Sequence, residues 1–294
     1  MRLTLLGTGT PTPSLVRASS SYLLEVGQDL ILFDTGPGSY HRFLETGRKL
    51  TELTHIVYSH FHYDHCADFA NFALVRWDQG GGRIPDLKVI GPRHVHDFVN
   101  LQLGSQGAFA PDQVARTQHP SSLGYYIARG GEGERAVIAP NVTELSSGDS
   151  FAGEGWTLKC LEVPHVQPYL GCLGFRLDAQ DKSFCYSGDA SLSRSFMRLC
   201  EDADVLVHMC HRISNTGLSD SVRTTSAAHM DVAEFAAGAE VKTCVLSHIS
   251  EQMDVPGVPE RLLREIGSVY SGTLIWGQDL MDIPFDAPKP NPLI

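Results

Sequence analysis

Residues 59–65 read Ser-His-Phe-His-Tyr-Asp-His, so three imidazoles and one carboxylate fall within six residues. They follow directly on an apolar, strand-like run, His55-Ile-Val-Tyr-Ser59. In extended backbone, side chains two apart share a side. His60 and His62 can therefore point at one ion, while Asp64 and His65, past the turn, can aim at a second position. Neutral imidazole with carboxylate is the ligand set of Zn²⁺ and neighbouring divalent metals. The bland alternative is a polar surface loop that happens to hold histidines. It would crowd titratable groups that disfavour one another's charge with no ion to offset the cost.

Four residues do not complete two metal sites, and the chain offers more at the ends of other apolar runs. His165 stands in Val163-Pro-His165-Val, Asp189 in Tyr186-Ser-Gly188-Asp189, and His248 in Val245-Leu-Ser-His248. Singly, each also reads as a loop residue or a satisfied core side chain. Together they repeat one arrangement, an apolar strand that delivers a ligand at its C-terminal end. Gly188 lets the backbone come close to such a site.

The elements that must position these residues are legible as strands at 2–6, 20–26, 29–33, 55–59, 88–91, 156–163, 172–178, 183–187, 205–208 and 241–247. Helices are expected at 40–45, 67–75 and 232–239. Hairpin-like strands are followed by alternating strands and helices, and this happens twice, which suits two sheets with helices outside them. Residues 100–150 are the least readable and are expected to form an insertion or lid within a single domain spanning 1–294. Of 294 residues, 42% are hydrophobic and 19% charged, enough apolar material for a core and a poor fit to a disordered chain. A net charge of −11 argues against a protein that coats nucleic acid, since such binding leans on Lys and Arg, but leaves room for a local phosphate site. There is no apolar run of eighteen or more residues and no long apolar N-terminal stretch, so the cytoplasm is the default and no membrane role is expected. The seven cysteines are odd in number, scattered and without a CxxC pair, and are expected to be reduced and buried.

Six stretches now carry a resemblance. They are Leu5-Leu-Gly7-Thr-Gly9-Thr-Pro11, Leu30-Ile-Leu-Phe-Asp34-Thr-Gly36-Pro-Gly38, the HxHxDH signature at 59–65, His165 followed by Gly174-Phe-Arg176, Ser187-Gly188-Asp189, and Leu246-Ser-His248. The chain resembles the metallo-β-lactamase superfamily, and within it the ribonuclease Z-like branch of metal-dependent hydrolases, from residue 1 to about 250. The resemblance implies an α/β (α+β) fold, an αββα sandwich of two mixed sheets flanked by helices, with a dinuclear site at one edge. His60, His62 and His165 would hold the first ion, Asp64, His65 and His248 the second, and Asp189 would bridge them. A hydroxide between the ions, its pKa lowered by the cations, would be the nucleophile, and Asp64 counts as a catalytic group as well as a ligand. Zn²⁺ is the expected ion, with Mn²⁺ or Fe²⁺ as alternatives. The redox di-iron relatives carry an acid where this chain has His62, which favours hydrolysis.

The departures from that pattern shape the expected function. Where ribonuclease Z has His-Glu-Ala-Thr, this chain has His208-Met-Cys-His211, with Met209 in place of the acid. His229, in Ala228-His229-Met230, resembles the proton donor to the leaving group. The helix after it is about one turn short, however, and a gapless alignment would put Ser226 there. No basic Gly/Pro-rich arm of the kind that clamps tRNA is present. The first reading is therefore a phosphodiesterase on a small or nucleotide-like substrate. The alternative is a lactone, carboxylic ester or amide hydrolase on the same site, and the third is a non-catalytic metal-binding protein. A small-molecule substrate is expected rather than a long nucleic acid, and the resemblance suggests a homodimer. Asp34 reads as a buried support for the metal loop rather than a ligand. Arg93, His94 and His96 read as a solvated loop, His41, His55 and His119 as structural or exposed, and Tyr169, Trp77 and Tyr125 as core or lid packing before pocket lining.

Overall fold

A computed structural model describes residues 1–217 and 219–286. The first half holds β1 (Arg2–Gly7), β2 (Ser21–Val26), β3 (Asp29–Phe33), α1 (Ser39–Glu45), β4 (His55–Val57), α2 (Tyr63–Cys66), α3 (Phe69–Gly80), β5 (Lys88–Gly91), α4 (Val95–Leu103), α5 (Ala110–Gln118), α6 (Pro120–Ala128) and β6 (Asn141–Glu144). The second half holds β7 (Ser150–Gly153), β8 (Trp156–Glu162), β9 (Leu173–Ala179), β10 (Lys182–Tyr186), α7 (Arg194–Leu199), β11 (Val205–Met209), α8 (Asp220–Arg223), α9 (His229–Gly238), β12 (Thr243–Ser247), α10 (Val258–Gly267), β13 (Thr273–Trp276) and β14 (Asp282–Ile283).

The strands form two seven-stranded sheets, ordered β14-β1-β2-β3-β4-β5-β6 and β13-β12-β11-β10-β9-β8-β7. Each sheet is antiparallel at one end and parallel at the other: β3 through β6 run parallel in the first, β10 through β13 in the second. Two mixed sheets with helices outside are the αββα sandwich anticipated from the sequence.

The layering follows from period-two alternation along the strands. On β3, Ile31 and Phe33 enter the core between the sheets while Leu30 and Leu32 face the helices. On β11, Val205 and Val207 point to the partner sheet and Leu206 to the helical side. Phe43 of α1, Phe69 and Phe72 of α3 and Val99 of α4 cover the first sheet. Phe196 of α7, Phe235 of α9 and Leu262 and Ile266 of α10 cover the second. All seven cysteines are buried. Among the described residues no helix is long and apolar enough to cross a membrane.

The stretch that was hardest to read, 100–150, contains α5 and α6 and ends in β6, which pairs in parallel with β5 as the edge strand of the first sheet. One carboxylate organises its helical part: Asp78 of α3 pairs with Arg116, Arg129 and Arg135. The Arg135 guanidinium also lies 4.2 Å from the Trp77 ring centre and 5.5 Å from that of Tyr126. Trp77 is thereby a packing residue, as expected. The first and last described strands meet on the first sheet. β14 pairs with β1, and Asp279 accepts from the Thr8 hydroxyl and backbone and from the Ala18 backbone.

Strands β3, β4, β8, β10, β11 and β12 all end at one edge of the sandwich, where the polar groups at strand ends can converge. The centre behind that edge is aromatic. Phe33 is fully buried and meets Phe175, Phe184 and Tyr186 with ring centres 6.0, 5.2 and 6.1 Å away. Phe33→Ala should cost about 3–5 kcal/mol of stability. In urea unfolding this appears as a lower midpoint at unchanged slope. A loss below about 1 kcal/mol would show that the inter-sheet core is not the main support.

Candidate metal centre

The site is assembled from loops that leave the strand ends. Past β4, Ser59 and His60 are buried, and the chain turns through His62 into the single turn of α2 that carries Asp64 and His65. His165 lies three residues after β8, Asp189 three after β10, and His248 directly after β12. His248 takes a left-handed backbone, φ 57°, which a non-glycine residue adopts only where the surroundings hold it there. Gly188 is left-handed too, φ 56°, and a Cβ there would come within 2.8 Å of the Ser59 Cβ, so only glycine lets β10 release Asp189 against the 59–65 loop.

The seven predicted side chains form two groups that share Asp189. One is His60, His62, His165 and Asp189; the other is Asp64, His65, Asp189 and His248. Within each group the nearest ligand atoms lie within 4.8 Å of one another. In the first, His62 Nδ1 is 3.0 Å from His60 Nε2 and 3.2 Å from His165 Nε2, and His165 Nε2 is 3.8 Å from Asp189 Oδ2. In the second, His65 Nε2 is 3.5 Å from Asp64 Oδ2 and 3.3 Å from Asp189 Oδ1, and His248 Nε2 is 3.3 Å from Asp64 Oδ2 and 3.2 Å from Asp189 Oδ2. Ligands about 2.0–2.1 Å from a tetrahedral ion stand about 3.3 Å apart. Both groups match that spacing.

The side chains themselves fit a cation. His65 Nε2 is buried and has no hydrogen-bond partner, a costly arrangement for a ring nitrogen unless a ligand occupies it. Burial and the neighbouring His65 hold His60 well below the ordinary imidazole pKa, and burial beside His165 lowers His62, so both present neutral lone pairs. Burial pushes the Asp189 carboxyl upward, yet His248 and His65 outweigh it and hold the group well below the usual carboxylate range. Asp64 is likewise pushed up by burial but held down overall, chiefly by the hydrogen bond from His248. Burial disfavours charge on His65, but Asp189 and Asp34 outweigh it and raise its pKa well above the ordinary value. The pocket therefore stabilises positive charge where the second group converges, which a divalent ion would supply.

The other ring nitrogens are held from behind. His65 Nδ1 donates to Asp34 Oδ2 at 2.7 Å, His165 Nδ1 donates to the Thr225 carbonyl at 2.7 Å, and His60 Nδ1 lies 3.0 Å from the Ser59 hydroxyl. Asp34, fully buried and left-handed at φ 57°, also accepts from the Ser59 backbone at 2.8 Å, the Ser59 hydroxyl at 2.7 Å and the Tyr186 hydroxyl at 2.6 Å. It supports the metal loop and is absent from both groups.

His211 was passed over in the sequence. It follows β11, and its Nδ1 is 3.2 Å from His248 Nδ1, which makes it the outer neighbour of His248. The rule that found the other residues, a polar group at a strand's C-terminal end, would have found it. His229 is buried at the start of α9 and belongs to neither group. Its Nδ1 accepts from the Ser214 backbone at 3.0 Å and its Nε2 donates to Glu265 of α10 at 2.7 Å. Ser226, the alternative donor position, gives its hydroxyl to the Val222 carbonyl.

Residues 15–215 match the family model described as the metallo-beta-lactamase superfamily. Among curated proteins, the chain is 29% identical to ribonuclease Z of Mycobacterium bovis over 95% of this chain and 96% of that protein. It is 30% identical to ribonuclease Z of a Mycobacterium species over 84% of each. Among solved structures, human tRNase Z, short form, superposes with a TM-score of 0.68 at 19% identity, covering 97% of this chain and 99% of that one. These relatives overturn the expectation of a small-molecule substrate rather than a long nucleic acid, because their names denote enzymes of RNA. The charge argument behind that expectation fails for a physical reason. A net charge sums over the whole surface, whereas a bound phosphate would meet only the site's edge, where these ligand groups would hold cations.

The carboxylate behind His65 gives a direct test. Asp34→Asn replaces one accepting oxygen by an NH2 donor, so it cannot accept from the Ser59 backbone N–H at one position and from His65, Tyr186 and the Ser59 hydroxyl at the other, as the carboxylate does. It should weaken divalent-metal binding about 10–100-fold, measured by competition with a chromogenic chelator. Unchanged affinity would mean that Asp34 braces the loop without tuning the ligands.

Proposed function

Because this chain belongs to the metallo-beta-lactamase superfamily, in its ribonuclease Z-like branch, it is a metal-dependent hydrolase, and we propose that the bond it hydrolyses is a phosphodiester of RNA. The observation that carries this reading is the pair of four-ligand groups sharing Asp189. Two adjacent sites suit a phosphodiester, whose attacking and leaving oxygens lie on opposite sides of the phosphorus. The mycobacterial relatives named ribonuclease Z point to RNA as the backbone.

His60, His62, His165 and Asp189 would hold one divalent ion and Asp64, His65, His248 and Asp189 the other, with zinc proposed from the mixed imidazole and carboxylate donors. When bound, such ions supply Lewis acidity toward the phosphoryl oxygens and a nucleophile drawn from water at neutral pH. The chain's own residues do the rest. Asp64, kept ionised by His248, can take the proton of the attacking water. Asp34, Thr225 and Ser59 fix three imidazoles so that their ligating nitrogens need no reorientation during turnover. His211 orients His248 from outside. Proton donation to the leaving oxygen was expected of His229, and that role requires one of its bonds, to Ser214 or Glu265, to open. In the conformation described, those bonds clamp the 211–216 loop against α9 and α10.

The test is cleavage of a single-stranded oligoribonucleotide and of a 3′-extended tRNA by zinc- or manganese-loaded protein, with chelator-treated protein as the blank. Metal-dependent scission is expected. His65→Ala should lose more than the roughly 100-fold that loss of an outer partner costs. Folded, metal-loaded protein that cuts no RNA but opens lactones or carboxylic esters would overturn the reading.

A further inference from the structure

The loops that follow β11 and β12 carry more than ligands. Past His211 the chain runs through Ile213 to Thr216, and past His248 it enters a single 3-10 turn, Glu251–Met253. Together with Val222 of α8, these segments bound a cavity of about 340 Å³. His211 lines that cavity, and its Nδ1 is 3.2 Å from His248 Nδ1, with ring centres 5.1 Å apart. His248 faces Asp64 and Asp189 with its other nitrogen, at 3.3 and 3.2 Å. One imidazole therefore separates the cavity from the second ligand group. Two of its walls follow the C-terminal ends of parallel strands, where α/β sheets bind their ligands.

The walls are held in place by backbone bonds. The His211 N–H bonds the Ala227 carbonyl at 3.1 Å, the His229 N–H bonds the Arg212 carbonyl at 3.1 Å, and the Arg212 guanidinium donates to the Ser226 carbonyl at 3.1 Å. Opposite, the Met253 N–H closes its turn on the Ser250 carbonyl at 2.9 Å. Ile213 and Val222 give the cavity apolar faces. Thr216 spends its hydroxyl on the Ile213 carbonyl at 2.9 Å, whereas the Ser250 hydroxyl and the Gln252 amide make no hydrogen bond among the described residues. The neighbouring cavity of about 620 Å³, behind Pro164 and Ser191, differs, because its guanidinium groups are already paired, Arg212 with Asp231 and Arg223 with Asp220. Apolar faces with a few uncommitted polar groups at the edge suit a planar heterocycle, whose faces are apolar and whose rim carries donors and acceptors. The volume falls near the low end of the roughly 300–1,000 Å³ of small-molecule sites, which admits one base and no duplex.

We propose that this cavity is the subsite for one unpaired nucleobase, the base next to the phosphate presented to the metal centre, with Ile213 and Val222 against its faces and Ser250 and Gln252 at its edge. Unpaired RNA is recognised through bases splayed away from their neighbours in this way. The inference rests on the RNA reading above and adds the requirement that the nucleotide beside the cut be single-stranded. A paired base would first have to leave its stack.

The test separates binding from cleavage. Calorimetry on the zinc-loaded protein would compare the 3′- and 5′-monophosphates of adenosine with ribose 5-phosphate, which keeps the sugar and phosphate and lacks the base. One of the two nucleotides should bind at least about tenfold more tightly than ribose 5-phosphate. Val222→Trp, which fills the cavity from a position 37% exposed, should remove that advantage and leave ribose 5-phosphate binding unchanged. Gln252→Ala should lose part of the advantage, and Leu192→Trp, on the 620 Å³ cavity, should alter neither affinity. Nucleotides that bind no better than ribose 5-phosphate, or a Val222→Trp protein that keeps the advantage, overturn the proposal. Should Val222→Trp lose ribose 5-phosphate binding as well, Gln252→Ala decides in its place, since its side chain is exposed and has no hydrogen bond to lose. Scission of natural RNA, measured in parallel, tests the hydrolase reading alone. Cleavage without base-dependent binding removes the subsite and leaves the activity, whereas base-dependent binding without cleavage does the reverse.

Discussion

The carboxylate of Asp34 is the contact on which the rest of the active edge depends. It is fully buried, and a carboxylate is tolerated there only when donors surround it. Those donors come from both sheets: Ser59 and His65 from the first, Tyr186 from the end of β10 in the second. One side chain thus aligns the two layers and orients an imidazole of the ligand set. The neighbouring backbone is fitted as closely. Thr35 N–H bonds the His65 carbonyl at 2.7 Å, and a Cβ on Gly36 would come within 2.2 Å of the Asp64 carbonyl, so the 34–38 turn and the ligand loop are zipped together without space between them.

Around that hub the charges are unbalanced in a useful way. Asp64 and Asp189 are held ionised against the pull of burial, and the histidines facing them are split between neutral donors and one, His65, that favours a positive charge. Asp189 belongs to both groups, so a single side chain joins them. The same economy appears behind the ligands, where a hydroxyl, a backbone carbonyl, a carboxylate and His211 each hold a different ring.

The ligand set was legible because its signal is local. Four of the seven residues fall within 60–65, and the others each end an apolar run. The sandwich was legible because alternation along a strand such as β3 or β11 reports which layer a side chain enters. Other features depend on distant partners and left no local mark. Glu265, the acceptor that engages His229, lies on α10, a helix that sequence reading had not placed. The helices within 100–150 are packed by three arginines on Asp78, which no periodicity announces. Net charge misled about the substrate, since it averages away the cation-seeking edge. Tyr169 was read as packing because large aromatics usually pack, and only its surroundings show that the ring is left in solvent.

The closure of the first sheet by β14 also fixes an order of events in the cell. Leu3 pairs with Ile283, and Asp279 ties the turn after β1, so the outer strands of that sheet are complete only when residues near 283 are available. His248 is a ligand contributed late as well. Chains emerge from the ribosome at about 5–20 residues per second, and contacts so far apart in sequence form slowly. A nascent chain therefore carries the HxHxDH loop for many seconds before it can assemble the second ligand group. Completion of the second ligand group is deferred until the chain has been made past residue 248.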